Sequence, residues 1–363
     1  MNSRSLSLAI VSLLIGASAL SAGCGSSAES TTGTGGQGTS STTGTGGQGT
    51  TSSTGTGGKG TGGGVHAPEI VAAFDPAKGQ FVEGLDIKNG IAYVGALVTG
   101  EVLAVDLQKH DIKPFGATPA FAQNQGALVG LTVGPDGAVY AALNITDPNG
   151  PKTGVYKIPA AGGTAQLFAS DPAMFFTNDL RFDDAGDLLV TDSMSGTIFK
   201  VEKDGTVSKW LSHMLLTPDP TVCNVETTYH LGVNGIVKHG DAYYATNTDR
   251  ASIVKIPVNP DGSAGTPEVF VPTDCARLSG ADGIAVDAAK GDLIVAVNYQ
   301  DTVVRIGQDK TITTIVAGDP LQSPASLYVD DKAHSVYVTC AAFAALAVDP
   351  SKAKPSLVAL PLD

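Results

Sequence analysis

The chain has 363 residues, 45 of them glycine and 20 proline, and only 16% of it is charged. That composition excludes a helix-rich protein, and the length fits one large or two ordinary domains. A net charge of −13 excludes binding to nucleic-acid phosphates, while an acidic surface is compatible with divalent cations.

Residues 1–23 read as a leader rather than as fold. Arg4 supplies a short positive start, "LAIVSLLIGASAL" an apolar stretch too short to span a bilayer, and "SAGC" a run of small residues ending at Cys24. The segment resembles a bacterial lipoprotein signal peptide, although Leu20 lies one place further from the cysteine than is usual. That resemblance implies cleavage before Cys24 and lipidation of its thiol. Gly25, where an aspartate would signal retention at the inner membrane, points to the outer membrane. Contact with membrane is expected through this anchor alone.

Residues 24–64 hold the lipidation cysteine and a linker of glycine, serine and threonine. "TGTGGQG" starts at Thr32 and again at Thr43, and "TGTGGKG" starts at Thr54. Lacking side chains to bury, such a segment is expected to be a disordered tether spanning about 35 Å root-mean-square.

Residues 65–363 repeat one pattern: a short alternating run, a turn rich in Asp and Gly, then an apolar run. Its copies begin at Gly84, Gly130, Asp179, Gly235, Gly283 and Ser326, at intervals of 46, 49, 56, 48 and 43 residues. A third run follows each copy and a fourth follows most. Four strands in each of six units predict an all-β fold, a six-bladed β-propeller with four-stranded blades. Two segments compete to close the ring, "EIVAAF" near the start of the domain and "PSLVAL" near its end.

In a propeller the residue before each inner strand points at the axis. Those six are Glu83, Val129, Asn178, Asn234, Asp282 and Ala325. Four are hard oxygen donors, and two carboxylates balance the charge of one divalent ion. Glu83, Asn178, Asn234 and Asp282 are therefore the expected metal ligands. Calcium is favoured because its coordination tolerates donors from unrelated loops; zinc, manganese and magnesium stay open. Turn propensity accounts for an isolated Asn178-Asp179 pair, but not for four donors in one register.

Of the cysteines outside the leader, Cys340 lies in an apolar strand and reads as a buried thiol. Cys223 and Cys275 lie in polar loops and are expected to form a disulfide. Their spacing does not suit zinc.

The sequence resembles the SMP-30/gluconolactonase/luciferin-regenerating-enzyme-like propellers, lactonases with one divalent metal at the channel mouth. The resemblance extends over residues 67–350 and is most specific over 281–341, where an Asp-Gly before the strand and "YVTCA" both match. It implies the same four ligands that the repeat selects, and a double role for Asp282 as ligand and proton acceptor. It departs at Phe176, next to Phe175, where members acting on sugar lactones carry an arginine. Its implication is a hydrolase of lactones or related esters, with Asp282 and His230 as candidate catalytic bases and Phe176, Asn247 and Asn298 as candidate pocket residues. The expected substrate is a small molecule and the expected state a monomer. The competing reading is a non-enzymatic binding propeller stiffened by calcium. No GxSxG, phosphate-binding loop or HExxH motif supports another hydrolase or nucleotide class.

Overall fold

The computed structural model describes residues 67–362 apart from 123, 226 and 228, so the leader, the linker and Cys24 lie outside the described residues. Short Asp/Gly turns return each strand on its neighbour. In the turn of residues 183–186, Asp183 accepts the Asp187 N–H at 2.9 Å and Gly186 takes a φ of +82° that a side chain would resist. The outcome is six antiparallel sheets in succession along the chain.

Blade 1 contains β2 (Val82–Lys88), β3 (Ile91–Ala96), β4 (Glu101–Asp106) and β5 (Ile112–Ala117). Blade 2 contains β6 (Gly126–Val133), β7 (Val139–Ile145), β8 (Gly154–Ile158) and β10 (Gln166–Ala169). A two-residue strand between them, β9 (Gly163–Thr164), pairs parallel with β5 and gives blade 1 a fifth member. Blade 3 runs through β11 (Thr177–Phe182), β12 (Leu188–Asp192), β13 (Thr197–Val201) and β14 (Val207–Ser212). Blade 4 runs through β15 (Val233–His239), β16 (Ala242–Asn247), β17 (Ser252–Pro257) and β18 (Glu268–Val271). Blade 5 runs through β19 (Ala281–Asp287), β20 (Asp292–Val297), β21 (Thr302–Ile306) and β22 (Ile312–Ala317).

Both competing end segments are used. In blade 6, β23 (Pro324–Asp330) and β24 (Ser335–Cys340) are followed by β25 (Ser356–Pro361), the "PSLVAL" run, as third strand. β1 (Glu69–Ala73), the "EIVAA" run, then pairs antiparallel with β25 as the fourth. Closing the last blade with the first strand covers an edge that would otherwise stay open. β1 and the residue after it bury Val71, Ala72 and Phe74 against Val82, Leu85, Leu103 and Leu357.

The first strands of the blades, β2, β6, β11, β15, β19 and β23, pack on one another in that order, and β23 packs back on β2. They therefore enclose the axis. Second strands such as β12 and β16 are buried along their whole length, since neighbouring blades cover both faces, which is why they read as unbroken runs.

Every inner strand carries a bulge at the same place. Pairing skips between Val82 and Leu85, Leu128 and Leu131, Thr177 and Leu180, Val233 and Ile236, Ala281 and Ile284, and Pro324 and Leu327. A bulge re-aims one side chain out of the pleat, and the skipped positions are the six ring residues, each with its follower. Four followers are glycine, because the next blade's inner strand passes there. A Cβ on Gly84, Gly130, Gly235 or Gly283 would stand 2.1–2.6 Å from a backbone oxygen of the next strand.

Cys223 and Cys275 are disulfide-bonded, joining the loop after β14 to the loop after β18. Cys340 is free and buried, and burial pushes its thiol up to about 12. Since the Gly130 contact is with backbone, which cannot rotate aside, Gly130→Ala is expected to cost about 1–3 kcal/mol by overpacking. Urea unfolding measures this as a lowered midpoint at unchanged slope.

Candidate functional site

Four of the re-aimed residues meet at one mouth of the channel. Glu83, Asn178, Asn234 and Asp282 line a cavity of about 430 Å³, counting the part open to solvent, together with Val129 from the ring. All three of Glu83, Asn178 and Asn234 are buried.

The backbone of this ring is held from the neighbouring blade. Thr191 Oγ1 donates to the Asn234 carbonyl (2.7 Å), Thr246 Oγ1 to that of Asp282 (2.6 Å) and Thr339 Oγ1 to that of Glu83 (2.5 Å). The hydroxyls of Thr191 and Thr339 also accept the N–H of the second bulge residue in their own blade, Asp179 and Ser326. The Thr339 bond joins the last blade to the first at the level of the site. These threonines end the second strands in "VTD", "ATN" and "VTC", a recurrence visible in the repeat but unremarkable as β-branched strand sequence.

The side chains are oriented by the same means. Asn178 Nδ2 donates to Ser193 Oγ at 3.0 Å and Asn234 Nδ2 to Thr248 Oγ1 at 3.0 Å. The Asn178 nitrogen is thus held by a hydroxyl, while Asn234 also hydrogen-bonds the Asp282 carboxylate. Asn298 Nδ2 lies 3.3 Å from Asp282 Oδ2 and also donates to the Pro324 carbonyl. Glu83 Oε2 is buried and has no hydrogen-bond partner.

Asp179 has a structural task rather than a place in the ring. Its carboxylate accepts the N–H groups of Ile236 in blade 4 (2.9 Å) and Leu180 (2.8 Å), and Arg181 lies 3.4 Å away. It clips two blades together beneath the site and adds a third buried negative charge. Burial first, then the charges of Asp282 and Asp179, hold Glu83 well above the usual carboxylate range. Burial and then Asp179 push Asp282 up to about 7 against the hydrogen bonds it receives. Buried acids that repel one another and include an unpartnered oxygen fit a cation placed among them. Among the described residues no cluster of three or more His, Cys, Asp or Glu side chains is arranged for a metal, so this donor set depends on its two amides.

The remaining candidates separate. Phe176 and Asn298 line the cavity. Asn247, expected there, does not: it is fully buried, its Nδ2 donates to the Leu215 and Thr217 carbonyls, and its Oδ1 accepts the Arg250 N–H. A strand-end amide has two directions open to it, and here the loop of residues 213–232 takes it. Asp192 holds the opposite rim, accepting the N–H groups of Phe175 (2.7 Å) and Phe176 (2.8 Å).

His230 stands outside the cavity lining, next to Leu231, which is part of it. Its Nδ1 is 3.4 Å from Asp249 Oδ2, and the Asp249 side chain is only 4% exposed. The two atoms are at ion-pair distance, and neither makes a hydrogen bond. Burial raises the Asp249 carboxyl and His230 opposes that rise. Tyr299, a lining residue, is raised by its burial and by the charges of Asp249 and Asp282. Asp249 escaped the sequence reading because it sits 19 residues from His230, in a turn motif "TNTD" of ordinary appearance.

A folded chain that holds protons on Glu83, Asp179 and Asp282 binds more protons than the unfolded chain from the ordinary carboxylate range up to about pH 7. Its stability therefore falls as pH rises through that window. Exposed aspartates held below their ordinary range, such as Asp106 and Asp219, are ionised in both states there and add no slope. In chelator the thermal midpoint is expected to drop between pH 5 and pH 8, and millimolar calcium to reduce that drop. A flat or rising profile in chelator would contradict this electrostatic account.

Comparison with known proteins agrees with this architecture. The chain is 18% identical to a calcium-binding protein, regucalcin, from Agrobacterium tumefaciens, with a TM-score of 0.57 over 82% of this chain and 94% of that one. A virginiamycin B lyase from Staphylococcus aureus shares 18% identity and a TM-score of 0.51 over 78% and 82% of the two chains. An auxiliary nutrient-binding protein from Bacteroides thetaiotaomicron shares 8% and 0.56 over 77% and 69%. At these identities the likeness concerns the fold. No curated protein sequence matches. The model of the SMP-30/Gluconolactonase/LRE-like region matches residues 151–342, more than half of the chain, which therefore belongs to that family.

Proposed function

We propose that the protein is a hydrolase of lactones or related esters that depends on a divalent cation, calcium being favoured. The observation that carries this reading is the set of four oxygen donors from four blades, all re-aimed by the same bulge. One of them, Glu83, has a buried oxygen without a partner. Glu83, Asn178, Asn234 and Asp282 would hold the ion, which when bound supplies Lewis-acid polarisation of a carbonyl and charge to offset a developing oxyanion.

The chain's own residues supply the rest. Ser193 and Thr248 hold the two amide groups, and Asn298 steadies Asp282. Asp282 is the favoured acceptor for the proton of the attacking water, since its carboxylate lies in the cavity at the base of the site. His230, just outside the lining beside Leu231, is the second candidate acceptor, with Asp249 Oδ2 at ion-pair distance from its Nδ1. The apolar lining around the ring limits bulk water and so strengthens these polar interactions.

A second reading is a binding propeller in which the ion only stiffens the channel by joining donors from four blades. The Bacteroides nutrient-binding protein has the same kind of fold. A panel of lactones and aryl esters assayed with calcium, manganese or zinc, and then with chelator, separates the two. Turnover lost in chelator supports the hydrolase; cation-dependent melting without turnover supports the binding protein.

Asp282→Ala is expected to reduce kcat/KM by roughly 10²-fold or more and to remove the calcium-dependent rise in melting temperature. Retention of both would exclude the proposed role. For the His–Asp pair, His230→Gln and Asp249→Asn are each expected to lower kcat by on the order of 10-fold, the double variant being no worse than either single. Additive losses would mean that Asp249 does not act through His230.

A further inference from the structure

The donors form only the floor of the cavity. Beside them and Val129, the ring residue of blade 2, the lining includes Leu97 from blade 1, Phe176 from blade 3, Leu231 before blade 4, and Phe343 from the short helix Phe343–Val348 after β24. All five are buried and belong to one apolar cluster. Five blades thus contribute to a continuous hydrophobic collar at the place where a substrate must pass. Phe175, next to Phe176 in the chain, is 64% exposed.

Two of the polar lining groups are already committed. Thr248 Oγ1 donates to the Ala281 carbonyl while accepting from Asn234, and the Asn298 amide nitrogen serves Asp282 and Pro324. No cationic side chain is among the lining residues. The arginines of the adjoining loops are engaged elsewhere: Arg250 with Asp219 and the Thr217 carbonyl, Arg277 with Asp274. A polyhydroxylated ring entering this collar would bury hydroxyls without partners, at a cost on the order of tenfold or more in affinity for each. An alkyl or aryl group would instead exchange water for Leu97, Val129, Phe176, Leu231 and Phe343. Each methylene seated there is worth about fourfold.

We infer that the site selects lactones or esters bearing an apolar alkyl or aryl substituent and rejects polyhydroxylated sugar lactones. This rests on the hydrolase reading above and adds the substrate class to it. The reactive carbonyl lies at the polar floor, and the substituent lies along the collar.

The test is a ladder of γ-alkyl lactones from methyl to heptyl beside glucono-δ-lactone. It is read twice, as kcat/KM with calcium and as binding by titration calorimetry in chelator. The expected result is a rise of about fourfold per methylene over the first several carbons, with the sugar lactone weakest in both readouts. Phe343→Ser and, on a different blade, Val129→Ser should each flatten the ladder, with thermal melts taken alongside to show that the variant is folded. A flat ladder in calorimetry, or a sugar lactone bound or hydrolysed as well as the heptyl compound, overturns the inference. Absence of turnover on every compound overturns the hydrolase reading alone, because the calorimetric ladder still decides what the collar accepts.

Discussion

The site depends on one local distortion repeated around a circle. An undistorted strand points alternate residues at its two flanking blades and none at the axis. A bulge at the start of each inner strand breaks that alternation and turns one side chain into the channel. A bulge by itself leaves ladder groups unpaired, and the threonines at the ends of the second strands take them up. Thr191 and Thr339 satisfy a bulge N–H in their own blade and hold the ring carbonyl of the next. The same hydroxyl therefore stabilises the distortion, joins adjacent blades and fixes the height of a candidate ligand. Position in the ring is a property of the whole circle, with Thr339 closing it onto Glu83.

That geometry brings buried acids together in a way the fold alone does not favour. Glu83, Asp282 and Asp179 share one channel, and the cationic partner of the last is Arg181. Hydrogen bonds account for Asp179 fully, for Asp282 in part and for Glu83 Oε2 not at all. Satisfaction falls from Asp179 to the ring residue Glu83, which fits a place for positive charge among the ring donors.

Floor and collar are built differently. The floor comes from inner-strand bulges locked by neighbouring blades, where a shift in one residue strains two sheets. The collar comes largely from loops: Leu97 after β3, Phe176 before β11, Leu231 before β15 and Phe343 in the long connection to β25. Loops change with little cost to the sheets they join, so such a molecule can alter what it accepts without altering how it reacts. Phe176, whose backbone N–H is held by Asp192, shows that even a collar residue is placed by a strand end.

The strands, the blade count and the ring residues were legible in the sequence because each follows from spacing. The bulge occupies the same register in every blade, so counting from one repeat to the next finds the axis-facing residue without knowledge of its surroundings. Direction and partnership were not legible. Asn247 and Asn298 look alike as strand-end amides, yet the loop of residues 213–232 captures the first and Asp282 the second. Asp179 reads as a turn residue until Ile236, 57 positions away, is seen to donate to it. The two closing segments could not be ranked because both are short apolar strand sequences, and only assembly shows that one pairs with the other. His230 found Asp249, and the collar found its members, through loops whose paths depend on packing between blades. The sequence by itself determined which residues face the axis, since that is set by local periodicity. Tertiary structure decided which neighbours each one meets, since those contacts join segments that periodicity does not relate.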